Sequence, residues 1–387
     1  MQEFDGIRPY RDDETRAAID RLTKDPEFLE MVGRFKSPRL TRWAPGLTRL
    51  MVRRWLQREF GGIDRIDALQ ARLYHFVDEL VQKTTSKVTC TGLDALDRSE
   101  SYLFVSNHRD IVFDPMVVNY LLFGNGFQTT RIAIGDNLLQ NRVFAEMMWL
   151  NKSFVVKRSI TSPREMRDSY MTLSSFIHHS IAENHSVWIA QREGRAKNGV
   201  DQTDPAIVKM FYMSQKKAGQ GFAEAMKHLR VVPVSIAYEY DPCDVDKARE
   251  LETRARTGTY EKQPGEDSDQ IIRGMTGFKG HVHVHFGSPI IEEVPETAKE
   301  MAAVIDQEMH RNYHLHASNL VAYDQIRTTE FQGVAHDTVE LAEALSQPEM
   351  EAAEAEMERR LDACDPALRP FLLAMYANPV INSLKAR

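Results

Sequence analysis

Between residues 101 and 290, short apolar runs alternate with longer stretches of helical periodicity, and that alternation leaves the chain few architectures. SYLFVS (101–106), RIAIG (131–135), SFVV (153–156), SVWIA (186–190), VVPVSIAY (231–238) and VHVHFG (282–287) read as strands. Segments 114–123, 139–150, 162–183 and 204–218 carry helical spacing between several of them. Strands interleaved with helices predict an α/β fold, a β-sheet covered by helices on both faces. Ahead of this region, 13–31 and 65–84 are helical in pattern, with Ile66, Leu69, Leu73, Phe76, Val77 and Leu80 on one stripe. A polar stretch at 241–278, loosest around GTYEKQPGEDSDQ, reads as an excursion or lid between two strands. From FGSPI (286–290) onward the pattern is helical, and the Glu/Ala-rich 339–361 reads as a solvated helix.

Composition narrows the function classes. The chain has 387 residues, enough for one large domain or two modest ones. No apolar run reaches the ~18 residues of a membrane span, and mean hydropathy is −0.43. The acidic, polar start MQEFDGIRPYRDDETR has no apolar h-region, so we expect no secretory signal. Cys90, Cys243 and Cys364 form no CxxC pair, which argues against a disulfide framework or cysteine zinc site and for a reducing, cytoplasmic setting. The net charge of −7 speaks against a nucleic-acid partner.

The chemistry concentrates in VSNHRDIVFDPMVVNYLL (105–122). An apolar strand ends at Ser106-Asn107 and presents His108, and a helical pattern starts at Asp114-Pro115, an N-cap followed by a proline at N1. A carboxylate accepting the imidazole Nδ1 proton would leave Nε2 free to take a proton from a hydroxyl. Asp110 and Asp114 both compete for that role. The plain alternative is a loop histidine beside a helix cap. The HRD triplet also occurs in kinases, but the chain lacks a Gly-rich loop, a VAIK-like strand and a DFG.

Further along, NKSFVVKR (151–158) ends a strand with Lys157 and Arg158. IAQREGRAKNG (189–199) leaves a strand into a turn with Arg192, Glu193, Gly194, Arg195 and Lys197, and VVPVSIAYEY (231–240) carries Pro233. Arginines at two strand ends suit a phosphate, whose oxygens guanidinium meets bidentately. Singly, each is also what an ordinary surface presents. As an ordered set, NHRDIVFD, SFVVKR, REGRAK and VVPVSI resemble the four blocks of the lysophospholipid acyltransferase superfamily, over about residues 86–290. Those blocks are NH(x)4D, a strand ending in arginine, an EG-(T/G)-R turn and a strand containing VP.

The resemblance implies a central mixed β-sheet flanked by helices, with helical extensions at 1–85 and 291–387 around a catalytic domain at 86–290. It implies transfer of a fatty acyl chain from acyl-CoA or acyl-carrier protein to a hydroxyl of a lysolipid, lysophosphatidic acid first among them, with no cofactor and no metal. His108 would be the general base, held by an aspartate. Arg158, Glu193, Gly194 and Arg195 would surround the acceptor phosphate, and Pro233 would shape the acyl-donor site. Two departures mark a divergent branch. Phe113 stands where the family spacing puts the aspartate, with Asp114 one residue later, and Arg195 directly follows Gly194, so that Lys197 would share the phosphate. Two other readings stay open: a lipid-surface binding protein on the same fold that has lost catalysis, and a lipid ester or thioester hydrolase. The latter lacks a G-x-S-x-G elbow.

Segment 36–60 holds seven basic side chains (Lys36, Arg39, Arg42, Arg49, Arg53, Arg54 and Arg58) opposed only by Glu59. Leu47, Met51 and Trp55 stack on a helical wheel with Arg49 and Arg53 opposite. We expect a membrane-surface contact through Arg49, Arg53 and Trp55, seating the protein on the inner face of the membrane. A basic helix packed on the catalytic domain is the alternative. His281, His283 and His285 alternate along one strand face. We expect that face to meet solvent, with Val282 and Val284 inward and no metal bound, and we assign nothing to His310, His314 and His316.

Overall fold

A computed structural model describes residues 2–330, apart from 158, 161 and 264, and residues 345–387. Seven strands form one sheet: β1 (Lys87–Thr91), β2 (Leu103–Ser106), β3 (Arg131–Gly135), β4 (Ser153–Val156), β5 (Val187–Ala190), β6 (Val231–Tyr238) and β7 (His281–Phe286). Their order is β1-β7-β6-β2-β5-β3-β4. Neighbours run parallel except β6 and β7, so the sheet is mixed, as the resemblance implied. Six of the strands lie where apolar runs predicted them. The seventh, KVTCT, was missed because its side chains are only half-buried at an edge and it has no long apolar run to announce it.

Period-two alternation divides the core. Leu103 and Val105 point to one face, against helices Pro163–Ala182, Pro205–Lys217, Phe222–Leu229 and Ala298–Arg311. Phe104 points to the other, with Trp188, Val234, Ile236, Val282 and Val284, under helix Phe113–Gly124. Two smaller clusters hold the N-terminal helices and the C-terminal helices. Among the described residues no helix is long and apolar enough to cross a membrane.

Several local expectations change. The 13–31 pattern is two helices, Asp12–Leu22 and Pro26–Lys36. Asp25 starts the second by accepting from Glu27 N and Phe28 N, with Pro26 at its first position. The 139–150 helix begins at Arg142, capped by Asn141. The polar 241–278 excursion folds into helices Asp244–Thr257 and Glu266–Thr276, which bury mostly polar or small residues, Lys247, Ala248 and Glu250 from the first and Gln270, Ile271 and Gly274 from the second. The Glu/Ala-rich helix is Gln347–Asp362, and its Ala353 and Met357 are buried rather than solvated, while 339–344 lie outside the described residues. Pro233 is accommodated in a central strand because its carbonyl accepts from Gly287 N at 2.8 Å, past the end of β7, and its missing N–H falls on that same side.

Burial also makes a prediction for pH. His178, buried with Nε2 3.0 Å from the Phe211 carbonyl, is pushed down to about 4 by burial, and so is His185. In the unfolded chain these rings titrate near ~6.5. Below that pH the unfolded chain binds protons that the folded chain refuses. Stability is therefore full above about 6.5 and declines as pH falls toward 4, His178 alone withdrawing up to about 3 kcal/mol. Asp110, raised by burial and by Asp114, acts in the opposite sense. We expect the melting temperature at pH 5 to lie several degrees below that at pH 7, read by calorimetry. An equal or higher value at pH 5 would refute the dominance of the buried neutral histidines.

Candidate functional site

Because β2, β5 and β6 run parallel side by side, their carboxyl ends open on one edge, where ligands bind in α/β sheets. His108 follows the end of β2, and the Glu193–Lys197 turn follows the end of β5. Asn107 fastens the first of these. Its side-chain amide takes the place of a backbone peptide, donating to the Ile236 carbonyl at 3.0 Å and accepting from Ile236 N at 2.8 Å. The turn is then hydrogen-bonded to the histidine itself, Ala196 N donating to the His108 carbonyl at 3.0 Å. Gly194 at φ +73° supplies the left-handed step within that turn.

Asp114, rather than Asp110, meets the imidazole. His108 Nδ1 lies 2.8 Å from Asp114 Oδ2. The same oxygen accepts from Arg109 N at 2.6 Å and Asp110 N at 2.9 Å, and Oδ1 accepts from the Tyr238 hydroxyl at 2.5 Å. With four donors converging on it, the fully buried carboxylate is held as an acceptor, which puts the imidazole proton on Nδ1 and leaves Nε2 with its lone pair. Burial and the nearby Asp114 charge raise Tyr238 well above the ordinary phenol range, so it stays a donor. The Trp188 ring stands edge-on to His108, centroids 5.8 Å apart.

The expected cap is corrected. The helix begins at Phe113, so Asp114 and Pro115 sit inside its first turn. Asp110 does the capping work instead, accepting from Val112 N at 3.0 Å and Phe113 N at 2.8 Å. One extra residue between histidine and aspartate is thus absorbed by an Asx turn at Asp110, and the carboxylate still reaches the ring.

Three residues that the sequence did not single out complete the frame. Arg109 is buried and pairs with Asp201 at 2.6 Å while donating to the Ala196 carbonyl at 3.2 Å. Burial, the largest single influence, would lower its pKa, but Asp201, Tyr313 and Asp241 together outweigh it and raise it. Lys247, from the first helix of the excursion, donates to the Arg109 carbonyl at 2.7 Å and pairs with Asp241. From the second helix, Gly274 lies against Asp110 so closely that a Cβ there would sit 1.9 Å from Oδ2. The excursion therefore packs on the histidine loop as a cover.

Beside this loop is an apolar cavity of about 290 Å³. Ile111, Val112, Pro115 and Met116, next along the chain from His108, form one wall, Ile132 and Ile134 of β3 another, and Leu22, Leu56 and Leu69 of the N-terminal helices a third.

The other sequence-derived candidates are distributed as follows. Arg195 is buried and donates to the Gln270 side chain. Lys197 is paired with Glu250 at 2.7 Å, its pKa lowered by burial. Glu193 is exposed. Pro233 is buried opposite Val105, three residues back along β2 from His108. Arg158 lies outside the described residues. Trp55 is half-buried, with Lys36 Nζ 3.4 Å from its ring centre and Phe76 packed edge-on, so it is turned away from the surface that Arg53 faces. The exposed apolar side chains of that region are Phe35, Leu47, Leu50, Met51 and, 85% exposed, Trp43. The β7 histidines are not on a solvent face: His283 is buried, and Thr89 and Thr91 of β1 hydrogen-bond all three rings.

Residues 87–238 match the family model described as Acyltransferase. No curated protein matches the chain. Among solved structures the chain is similar to the 1-acyl-sn-glycerophosphate (LPA) acyltransferase PlsC from Thermotoga maritima. Identity is 14% and the TM-score 0.38, over 73% of this chain and 92% of that one.

Proposed function

We propose that the protein moves a fatty acyl chain from acyl-CoA or acyl-carrier protein to a hydroxyl of a lysolipid, lysophosphatidic acid first among the acceptors, a reading supported by the match of residues 87–238 to the family model described as Acyltransferase. The observation that carries this reading is the His108–Asp114 pair at 2.8 Å in a loop that continues directly into the wall of an apolar cavity. The cavity suits an acyl chain, since its walls are almost wholly hydrocarbon. His108 Nε2 takes the acceptor's hydroxyl proton as the oxygen attacks the thioester carbonyl. The tetrahedral adduct then expels the thiolate, which recovers the proton from the imidazolium. Asp114 keeps the ring oriented and stabilises its transient charge.

The phosphate-side roles of Arg158, Glu193, Gly194, Arg195 and Lys197 belong to the same proposal. Of the two basic groups in the turn, Arg195 is the stronger candidate for a phosphate. Its partner Gln270 is a neutral amide, whereas Glu250 already matches the charge of Lys197. Seating on an anionic membrane surface is supported by Trp43, Leu47, Leu50 and Met51, exposed on the segment that carries Arg39, Arg42, Arg49 and Arg53. Near such a surface each arginine contributes about 1 kcal/mol.

The test is transfer of labelled acyl groups from acyl-CoA and, in parallel, acyl-carrier protein to a panel of lysolipids in anionic vesicles. We expect diacyl product, greatest with lysophosphatidic acid. Vesicle binding without product from any donor–acceptor pair would leave the fold a lipid-surface binder and end the catalytic reading. Release of free fatty acid without acyl product would make it a hydrolase.

A further inference from the structure

We propose that His281, His314 and His316 form a binding site for a divalent transition-metal ion, zinc by preference, at the β1–β7 edge of the sheet and outside the acyl-transfer site. Each of the three offers one ring nitrogen, and these nitrogens all lie within 4.8 Å of one another. His281 comes from β7, whereas His314 and His316 come from the stretch between helices Ala298–Arg311 and Ala317–Glu330. Ring centroids of the three are 4.7–5.0 Å apart.

Two of the rings are already oriented as metal ligands are. His316 is buried, and its Nε2 has no hydrogen-bond partner among the described residues. The Ala237 backbone beside the ring favours a proton on it, and with Nε2 unpartnered that proton belongs on Nδ1, leaving the lone pair on Nε2. An orphaned buried acceptor is costly unless something binds it. His281 uses Nε2 on the Thr89 hydroxyl at 2.7 Å, so Nδ1 is the nitrogen left to a ligand. A hydrogen bond from the second ring nitrogen to a hydroxyl or carbonyl is how coordinating histidines are held in tautomer and angle.

The donor set selects the ion. Imidazoles alone suit zinc and its neighbours in the first transition row and not magnesium or calcium, which take oxygen. Zn–N bonds of about 2.0–2.1 Å in tetrahedral array place ligand nitrogens about 3.4 Å apart, so the cluster closes by roughly 1 Å on loading. His314, half-buried in the connecting stretch, is the ring free to move. His283 is not a ligand despite a centroid 4.6 Å from His314, because Thr89 and Thr91 engage both its nitrogens. Lys87 is the like charge facing the cluster and Glu349 the opposing one, both exposed. Three imidazoles leave a fourth position for water. The bound ion ties the entry to the C-terminal helices onto β7, and touches neither His108 nor the cavity.

Untagged full-length protein, stripped with chelator, is titrated with Zn²⁺ and the bound metal counted after equilibrium dialysis. Co²⁺ then serves as a visible reporter of four-coordinate geometry. We expect one equivalent bound, a higher melting temperature with metal than without, and weakening on the order of 100-fold in His314→Ala and in His281→Gln. His314→Ala leaves the sheet untouched, and the metal-free melting curve of each variant reports its folding. No uptake by wild type at ~10 µM free Zn²⁺, far above the dissociation constant of a structural zinc site, overturns the proposal. Uptake unchanged in both folded variants also overturns it.

Discussion

Replacing His108 by alanine lowers the turnover of acyl transfer by about 10²–10⁴-fold, the contribution expected of a positioned general base. The fold should survive, because Asp114 does not depend on the ring. With the imidazole gone, Oδ2 still accepts from the backbone N–H groups of Arg109 and Asp110, and Oδ1 still accepts from Tyr238. The substitution removes the proposed base and little else, so its melting temperature should stay within a few degrees of wild type. Asp114→Asn is the informative companion. An amide can reproduce the contacts, its oxygen toward Nδ1–H and its NH₂ toward the Tyr238 oxygen, but it cannot stabilise the imidazolium that forms during attack. Its loss should fall on kcat with KM nearly unchanged. A folded His108→Ala enzyme of undiminished turnover would remove His108 from the mechanism, and with it the reading that joins the pair to the cavity.

How much of this was legible in the sequence depends on the distance over which each feature is encoded. The His108–Asp114 pair is local, six residues apart, and both candidates for the partner were visible. What the sequence left open was the conformation between them. Only the Asx turn at Asp110 shows that the additional residue is absorbed and that Asp114 reaches the ring. Strand runs with a strong apolar signal were read correctly, and the half-buried KVTCT was not. The 241–278 segment looked loose because its helices are short and mostly charged. What makes them structural is Lys247 and Gly274 meeting the histidine loop, contacts that no local pattern encodes. The same holds for Asp201, which is 92 residues from Arg109, and for the histidines of β7, whose companions arrive from residues 314 and 316. A period-two histidine face looked solvent-exposed because the chain that covers it lies some thirty residues downstream. Trp55 is more enclosed than expected for the opposite reason: a helical wheel treats every helix as isolated, and here Phe60, Phe76 and Lys36 cover one side of it.

Breaking the Arg109–Asp201 pair is expected to have the largest effect on stability of any single substitution at the site. Both side chains are buried, 6% and 3% exposed, and they meet at 2.6 Å. Asp201→Ala leaves a buried guanidinium with one backbone acceptor, the Ala196 carbonyl, and no countercharge at contact distance. Removing one member of such a pair costs about 3–5 kcal/mol, because the remaining charge stays desolvated. In a chain of this size that corresponds to a fall in melting temperature of roughly 5 °C. Activity should fall with it, since the pair locks the His108 loop to the turn that carries Arg195, and Asp201 also accepts from Asn107 at 3.3 Å. The double variant Arg109→Met with Asp201→Leu separates the two consequences. With both charges gone and the volume kept, stability should recover above that of Asp201→Ala. Activity should recover less, because the arginine's bond to the Ala196 carbonyl is not restored. A double variant no more stable than Asp201→Ala would mean that the cost lies in packing rather than in an orphaned charge. The salt link would then be incidental to how the loop is held.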